Sequence, residues 1–174
     1  MLQSRIIPCL LLSGGGLVKT VGFKDPKYVG DPINAVRIFN DKEVDELVFL
    51  DIDASKKNEG PRFDLIARVA SECFMPLCYG GGVRNIEDVQ KLFKLGVEKV
   101  ALRTQAIKQP QIIREISSRY GNQAVVGVID VKKNLFGKHK VVLPEVDAKV
   151  SQDVLMTARA FESEGVGEIF INSV

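Results

Sequence analysis

The hydrophobic positions fall into two kinds of segment that alternate along the chain. Six short apolar-rich runs occupy residues 6–12, 47–50, 76–79, 97–102, 124–131 and 169–171. Runs of this length with little polar alternation predict strands buried on both faces. Between them, apolar residues recur at helical spacing. Ile33, Val36 and Phe39 follow Asp31, a good N-cap, and Pro32, a good first helical residue. Ile66, Val69, Ala70 and Cys73 form one stripe. Val89, Leu92 and Phe93 form another, with Asn85 as cap and Gly96 as terminator. Pro110 opens a helix carrying Ile112, Ile113 and Ile116, and Gly121 ends it. Ser151 is the expected cap of a fifth helix, with Val154, Ala158 and Phe161 inward and Gly165 at its end. Residues 132–142 read as a small hairpin after the fifth strand. Residues 14–30 read as one long first loop of the kind that acts as a lid.

Strands separated by helices predict an α/β protein with a parallel sheet. A (β/α) barrel of TIM type and an open doubly wound sheet both fit that alternation. An internal repeat favours the barrel. Glu-Leu-Val-Phe-Leu at 46–50 is echoed by Glu-Ile-Phe-Ile-Asn at 168–172, and residues 5–12 are echoed by 124–131. No Gly-x-Gly-x-x-Gly fingerprint follows the first strand, which counts against a dinucleotide fold. The expectation is one barrel domain over 1–174, with a first half-barrel at 1–121 and the start of a second at 122–174. A complete barrel of this type takes ~250 residues, so about six of eight units are expected and the barrel is incomplete. The open edges of strands one and six would then call for cover, by more chain or by another copy.

Composition narrows the class without naming a chemistry. The chain has 174 residues, 45% hydrophobic and 26% charged, with a net charge of +2. That excludes intrinsic disorder and gives no case for nucleic acid. The run at 6–12 is too short to span a membrane, and the N-terminus has no signal-peptide layout. Cys9, Cys73 and Cys78 lack metal-type spacing. They point to a reducing, cytoplasmic setting, with Cys9 and Cys78 expected as buried thiols. The single histidine, His139, sits among lysines and is expected in an exposed loop. Neither a Ser-His-Asp triad, nor a metal site, nor a cofactor is expected.

In a barrel, chemistry belongs at the C-terminal ends of the strands. Gly80, Gly81 and Gly82 lie between a strand and a capped helix, where backbone N–H groups can approach a phosphate. Thr104, one strand over, could add a hydroxyl. Asp51 and Asp130 are strand-end carboxylates suited to general acid–base work or to bonding loop backbone. Lys19 lies in the first loop. At the opposite ends, Arg5, Glu46, Lys99 and Glu168 place two positive and two negative charges, which read most simply as a structural salt-bridge ring, with partner docking as the alternative.

Together these residues resemble a family. The chain is similar over essentially its whole length to the cyclase subunit of imidazole glycerol phosphate synthase, a (β/α)8 barrel supplied with ammonia by a glutaminase subunit. The resemblance rests on Arg-Ile-Ile-Pro-Cys-Leu at 5–10, Gly-Asp-Pro at 30–32 and Asp-Glu-Leu-Val-Phe-Leu-Asp-Ile at 45–52. It also rests on the three glycines, Glu-Lys-Val at 98–100, Gln-Ala-Val-Val at 123–126 and Gly-Glu-Ile at 167–169. It implies that Asp130 is one of two catalytic aspartates. It implies that Gly81, Gly82, Thr104, Asp51 and Lys19 belong to the substrate and phosphate site. It turns the charge ring of Arg5, Glu46, Lys99 and Glu168 into an ammonia gate, and puts Glu98 and Gln123 on the glutaminase-docking face.

The departures bear on activity. The other catalytic aspartate falls at Leu11, the position the internal repeat equates with Asp130. The family's serine near strand four is Ala101, and its neighbouring asparagine is Arg103. The loop expected after strand five is replaced by Leu-Pro-Glu-Val-Asp at 143–147. A leucine transfers no proton, and a lost general acid–base costs about 10²–10⁴ in rate. A kept gate with damaged cyclase chemistry resembles the divergent paralogues of surface-polysaccharide gene clusters. Those imply a conduit that passes ammonia to a separate sugar amidotransferase, with a phosphorylated nucleotide or sugar as the substrate. A phosphosugar isomerase of the same superfamily is a third expectation, which would leave the gate unexplained.

Overall fold

The computed structural model describes residues 4–133, 137–142 and 153–173. The chain divides into two compact units, Met1–Val100 and Ala101–Val174. In chain order the elements are β1 (Cys9–Ser13), β2 (Gly16–Val21), β3 (Lys24–Gly30), α1 (Pro32–Asp41), β4 (Leu47–Asp51), α2 (Phe63–Glu72), β5 (Leu77–Gly80), α3 (Ile86–Lys94) and β6 (Lys99–Leu102). There follow α4 (Thr104–Lys108), α5 (Gln111–Tyr120), β7 (Val125–Lys133), β8 (His139–Val141), α6 (Val154–Glu164) and β9 (Glu168–Ser173). The alternation is the α/β class that the sequence pattern predicts. The expected half-barrel boundary at 121/122 falls inside the second unit, between α5 and β7.

In the first unit β1 pairs in parallel with β4, and β4 with β5. β6 begins at the far side, where the Glu98 N–H donates to the Leu77 carbonyl (2.9 Å). Prolines set where the strands start. Pro8 and Pro76 have no N–H for a ladder, so β1 and β5 begin later than the apolar runs do. Their carbonyls are still used, accepting from Val48 N and Leu47 N (both 2.9 Å). The core lies around Leu47, Phe49, Leu77, Tyr79, Ile66, Val69, Val89 and Leu92, all buried. Asp31 caps α1 and Asn85 caps α3, as their sequence positions predict.

The second unit is built on β7, buried from Val125 to Val131. β9 lies parallel to one edge of it and β8 antiparallel, which forms the small hairpin predicted there. The β7–β9 register repeats the β1–β4 register. Cys9↔Val48 and Leu11↔Leu50 correspond to Val128↔Phe170 and Asp130↔Asn172. The internal repeat thus extends to strand pairing.

Several expectations need correction. Residues 14–30 form a β2–β3 hairpin antiparallel to β1, not one long loop. Val21 pairs with Lys24, and both Gly22 and Phe23 have positive φ (56° and 63°). A two-residue turn with two left-handed centres matches strand twist, and the polar, Lys-rich composition hid it. β1 is not buried on both faces. Only Leu12 is buried, and Cys9 is exposed rather than a buried thiol, while Cys78 is buried. β9 alternates as well, with Ile171 60% exposed. An apolar run has the same sequence whether one face or two are covered. His139 is exposed as expected, but on a strand. The cap of α6 is Asp153, whose carboxylate accepts from Leu155 N and Met156 N. Ser151, the replaced loop at 143–147 and Val174 lie outside the described residues.

The hairpin turn provides a direct test. A bulky residue in the left-handed region costs roughly 1–2 kcal/mol, and asparagine tolerates it well. Phe23→Asn is therefore expected to stabilise the hairpin by about 1 kcal/mol. It should slow amide hydrogen exchange in β2 and β3. Unchanged or faster exchange would show that the Phe23 ring contributes more than its backbone costs.

Candidate functional site

The C-terminal strand ends of the first unit are tied together by two carboxylates. Asp51 closes β4 with its side chain fully buried. Its Oδ1 accepts from the N–H groups of Asp53 (3.0 Å) and Ala54 (3.1 Å), and its Oδ2 from Arg62 Nε (2.8 Å). Asp53 Oδ2 accepts from Ser13 Oγ (3.0 Å), Gly14 N (3.1 Å) and Lys57 Nζ (3.2 Å). Burial pushes the Asp53 carboxyl up. The Gly14 N–H, the Ser13 hydroxyl and the Lys57 ammonium together outweigh it and leave it below its usual value. Asp51 thus organises its own loop, one of the two roles its position allowed.

Arg62 is the residue that sequence reading missed. It occupies the N-cap position of α2, where it makes no capping bond and instead spans Asp51 and, at 3.9 Å, Asp53. Its position directly before an amphipathic stripe that lacks a capping side chain was the available signal. The Tyr79 hydroxyl is buried without a hydrogen-bond partner among the described residues. Burial, with the Asp51 charge added, pushes it well above the usual tyrosine range.

Gly81 and Gly82 follow β5 with φ of 124° and 70°. A Cβ on Gly81 would lie 2.5 Å from the Asp51 carbonyl oxygen, and one on Gly82 would lie 2.6 Å from the Glu59 carbonyl oxygen. Close packing of the turn on the β4 loop therefore requires both glycines. The α3 end is closed by its own side chains. Asn85 Oδ1 accepts from Asp88 N (2.9 Å), and Asp88 Oδ2 accepts from Arg84 N (3.0 Å). Lys19 is exposed on β2 opposite Lys27, and like charges placed so repel. Thr104 opens α4 in the second unit.

At the N-terminal strand ends of the first unit, three of the four predicted ring charges meet. Glu46 is buried, and its Oε2 accepts from Lys99 Nζ (2.7 Å) and Arg5 Nη1 (3.3 Å). The segment leading into β1 is held beside it: Asp45 Oδ2 accepts from Ile6 N (2.6 Å), and Ile6 O from Asp45 N (3.2 Å). Glu98 is exposed on the same unit. Glu168 opens β9 in the second unit. Gln123, also in that unit, is exposed and donates to the Tyr120 carbonyl (3.0 Å) at the end of α5.

In the second unit, Asp130 is buried near the end of β7. Its Oδ2 accepts from Arg103 Nη1 (2.8 Å) and its Oδ1 from Asn172 Nδ2 (3.2 Å). The repeat-equivalent pair in the first unit, Leu11 and Leu50, is apolar.

Strand-end carboxylates at Asp51 and Asp130, a glycine turn after β5 and a buried charge cluster at the opposite strand ends define a class. The chain belongs to the histidine-biosynthesis protein family, whose model matches residues 5–174. The family's fold is the TIM-type barrel, in keeping with the α/β order here. Within the family, its relatives are HisF subunits of imidazole glycerol phosphate synthase. A protein of Pseudomonas aeruginosa provisionally named as that synthase's subunit hisF2 is 55% identical over 174 residues, covering all of this chain and 69% of the relative. One of Vibrio vulnificus, provisionally named subunit hisF3, is 49% identical over all of this chain and 67% of its own length. The imidazole glycerol phosphate synthase subunit HisF of Alkaliphilus metalliredigens is 38% identical over all of this chain and 69% of its own length. No helix among the described residues is long and apolar enough to cross a membrane.

Proposed function

We propose that the protein is an ammonia-accepting, HisF-like subunit that works with a glutaminase partner. The carrying observation is the Arg5–Glu46–Lys99 cluster. A buried carboxylate with two cations contributes little to stability that apolar residues would not match. Its retention at the strand N-termini is economical if charged side chains are needed there to admit a small polar molecule. Glu168 completes the gate in this reading, and Glu98 and Gln123 supply docking contacts. By the family reaction, ammonia would meet a phosphoribulosyl-formimino nucleotide at the strand C-termini, yielding imidazole glycerol phosphate and an aminoimidazole carboxamide ribotide. Lys19, Asp51, Gly81, Gly82 and Thr104 would line that site, with Asp130 as the remaining acid–base group.

A second reading is favoured by Leu11. With no proton-transfer group at that position, the subunit would conduct ammonia without cyclising. It would activate the glutaminase and pass ammonia to a sugar amidotransferase with a phosphorylated sugar substrate.

One pair of assays tests both. Mixed with a HisH-type glutaminase, the protein should raise glutamine hydrolysis, and Glu46→Leu/Lys99→Met should weaken coupling of that hydrolysis to ammonia use. No effect on any such glutaminase would sink the proposal. Turnover of the nucleotide with ammonium salt alone would select the cyclase, and its absence beside an activated glutaminase would select the conduit.

A further inference from the structure

We propose that Arg103 is a positioning residue that withdraws Asp130 from proton transfer, independently of Leu11. The inference rests on the reading of Asp130 as the family's strand-end carboxylate. A general base needs an oxygen lone pair within hydrogen-bond reach of the proton it takes. Here Oδ2 accepts from Arg103 Nη1 at 2.8 Å and Oδ1 from Asn172 Nδ2 at 3.2 Å, and the carboxylate is 3% exposed. Such charge-assisted bonds are short and strong, and arginine stays protonated at every working pH. Each oxygen thus has a lone pair committed to a neighbour, and a substrate proton must compete with the guanidinium for Oδ2.

Both partners are held firmly. Asn172 faces Asp130 across the β7–β9 ladder, so strand register fixes its amide. The Asp130 carbonyl accepts from Val142 N (2.8 Å), which anchors the strand end. Arg103 precedes α4, and its carbonyl accepts from Ile107 N (3.3 Å). An asparagine at 103, as the family resemblance has it, would bring no positive charge to this carboxylate. The protein therefore lacks an unencumbered carboxylate at both repeat positions. At one it is replaced by Leu11, and at the other it is clamped.

The clamp can be read without any substrate. Carbodiimide with glycinamide, followed by peptide mass spectrometry, labels carboxyl groups that are accessible to the reagent. In Arg103→Asn, Asp130 should be labelled about tenfold more than in the unmodified protein, the scale of one charge-assisted hydrogen bond. Arg103→Lys, which keeps a cation, should stay near the unmodified level. Asp51 and Asp53 in the first unit serve as internal standards and should not change. Equal labelling of Asp130 with and without Arg103 would overturn the proposal. A parallel rise at Asp51 and Asp53 would also do so, since it would mean general loosening rather than release of a clamp.

A second measurement asks about chemistry. With ammonium salt and the formimino nucleotide, Leu11→Asp/Arg103→Asn should cyclise on the order of 10²-fold faster than Leu11→Asp. Leu11→Asp equalling the double variant would refute the role of Arg103. No glutaminase enters either experiment, so failure of the glutaminase partnership and failure of the clamp are separately visible.

Discussion

Arg62→Ala is expected to destabilise the first unit by about 3 kcal/mol. The Asp51 side chain is fully buried, and Arg62 is the cation paired with it, at 2.8 Å. Removing that cation leaves a buried charge satisfied by the two backbone N–H groups of Asp53 and Ala54. Breaking a buried pair from one side costs about 3–5 kcal/mol, far more than a surface pair. The partly exposed guanidinium lets some water in, so the low end of that range is expected. Asp51→Asn should cost less, because its amide oxygen can still accept the turn N–H groups and no charge is stranded. Arg62→Leu/Asp51→Asn should therefore be more stable than Arg62→Leu alone. Urea unfolding midpoints read all four. A loss below about 1 kcal/mol for Arg62→Ala would place Asp51 among ordinary surface carboxylates.

Lys99→Met is expected to cost about 2–3 kcal/mol. Glu46 would then be left with Arg5, which is 46% exposed and sits farther away, at 3.3 Å against 2.7 Å. Glu46→Leu/Lys99→Met should recover most of the loss, because apolar residues of similar volume commonly replace a buried ion pair at little cost. If the double variant is no better than Lys99→Met, the cluster holds the strand ends by geometry that apolar packing cannot reproduce. Stable folding of the double variant would also supply the protein needed to test gating apart from stability.

The site was legible in unequal parts. The strand-end positions of Asp51 and Asp130 could be read because apolar runs end at them. The Glu46 cluster could be read because charges precede the same runs. The glycine turn was visible, and the sequence suggested close approach to a phosphate. That Gly81 and Gly82 are also required by the packing of the turn on Asp51 and Glu59 was not visible. Arg62 and the α4 turn were not read, since neither carries a hydrophobic period or a capping residue. The β2–β3 hairpin was missed for a related reason. Its turn uses Gly22 with Phe23 in the left-handed region, and a phenylalanine is a poor signal for that conformation.

The sequence by itself determined the α/β order, the helix caps at Asp31 and Asn85, the internal repeat and the replacement of a carboxylate by Leu11. These follow from local chemistry, namely period, capping and residue identity. Only the tertiary structure decided what the charged residues bond to. Asp51 is held by its own loop and Arg62, and Glu46 gathers Arg5 and Lys99. Asp130 is clamped by Arg103 and Asn172. The side-chain partners among these lie between 11 and 53 residues away along the chain. Strand register and helix placement bring them together, and no local pattern encodes that.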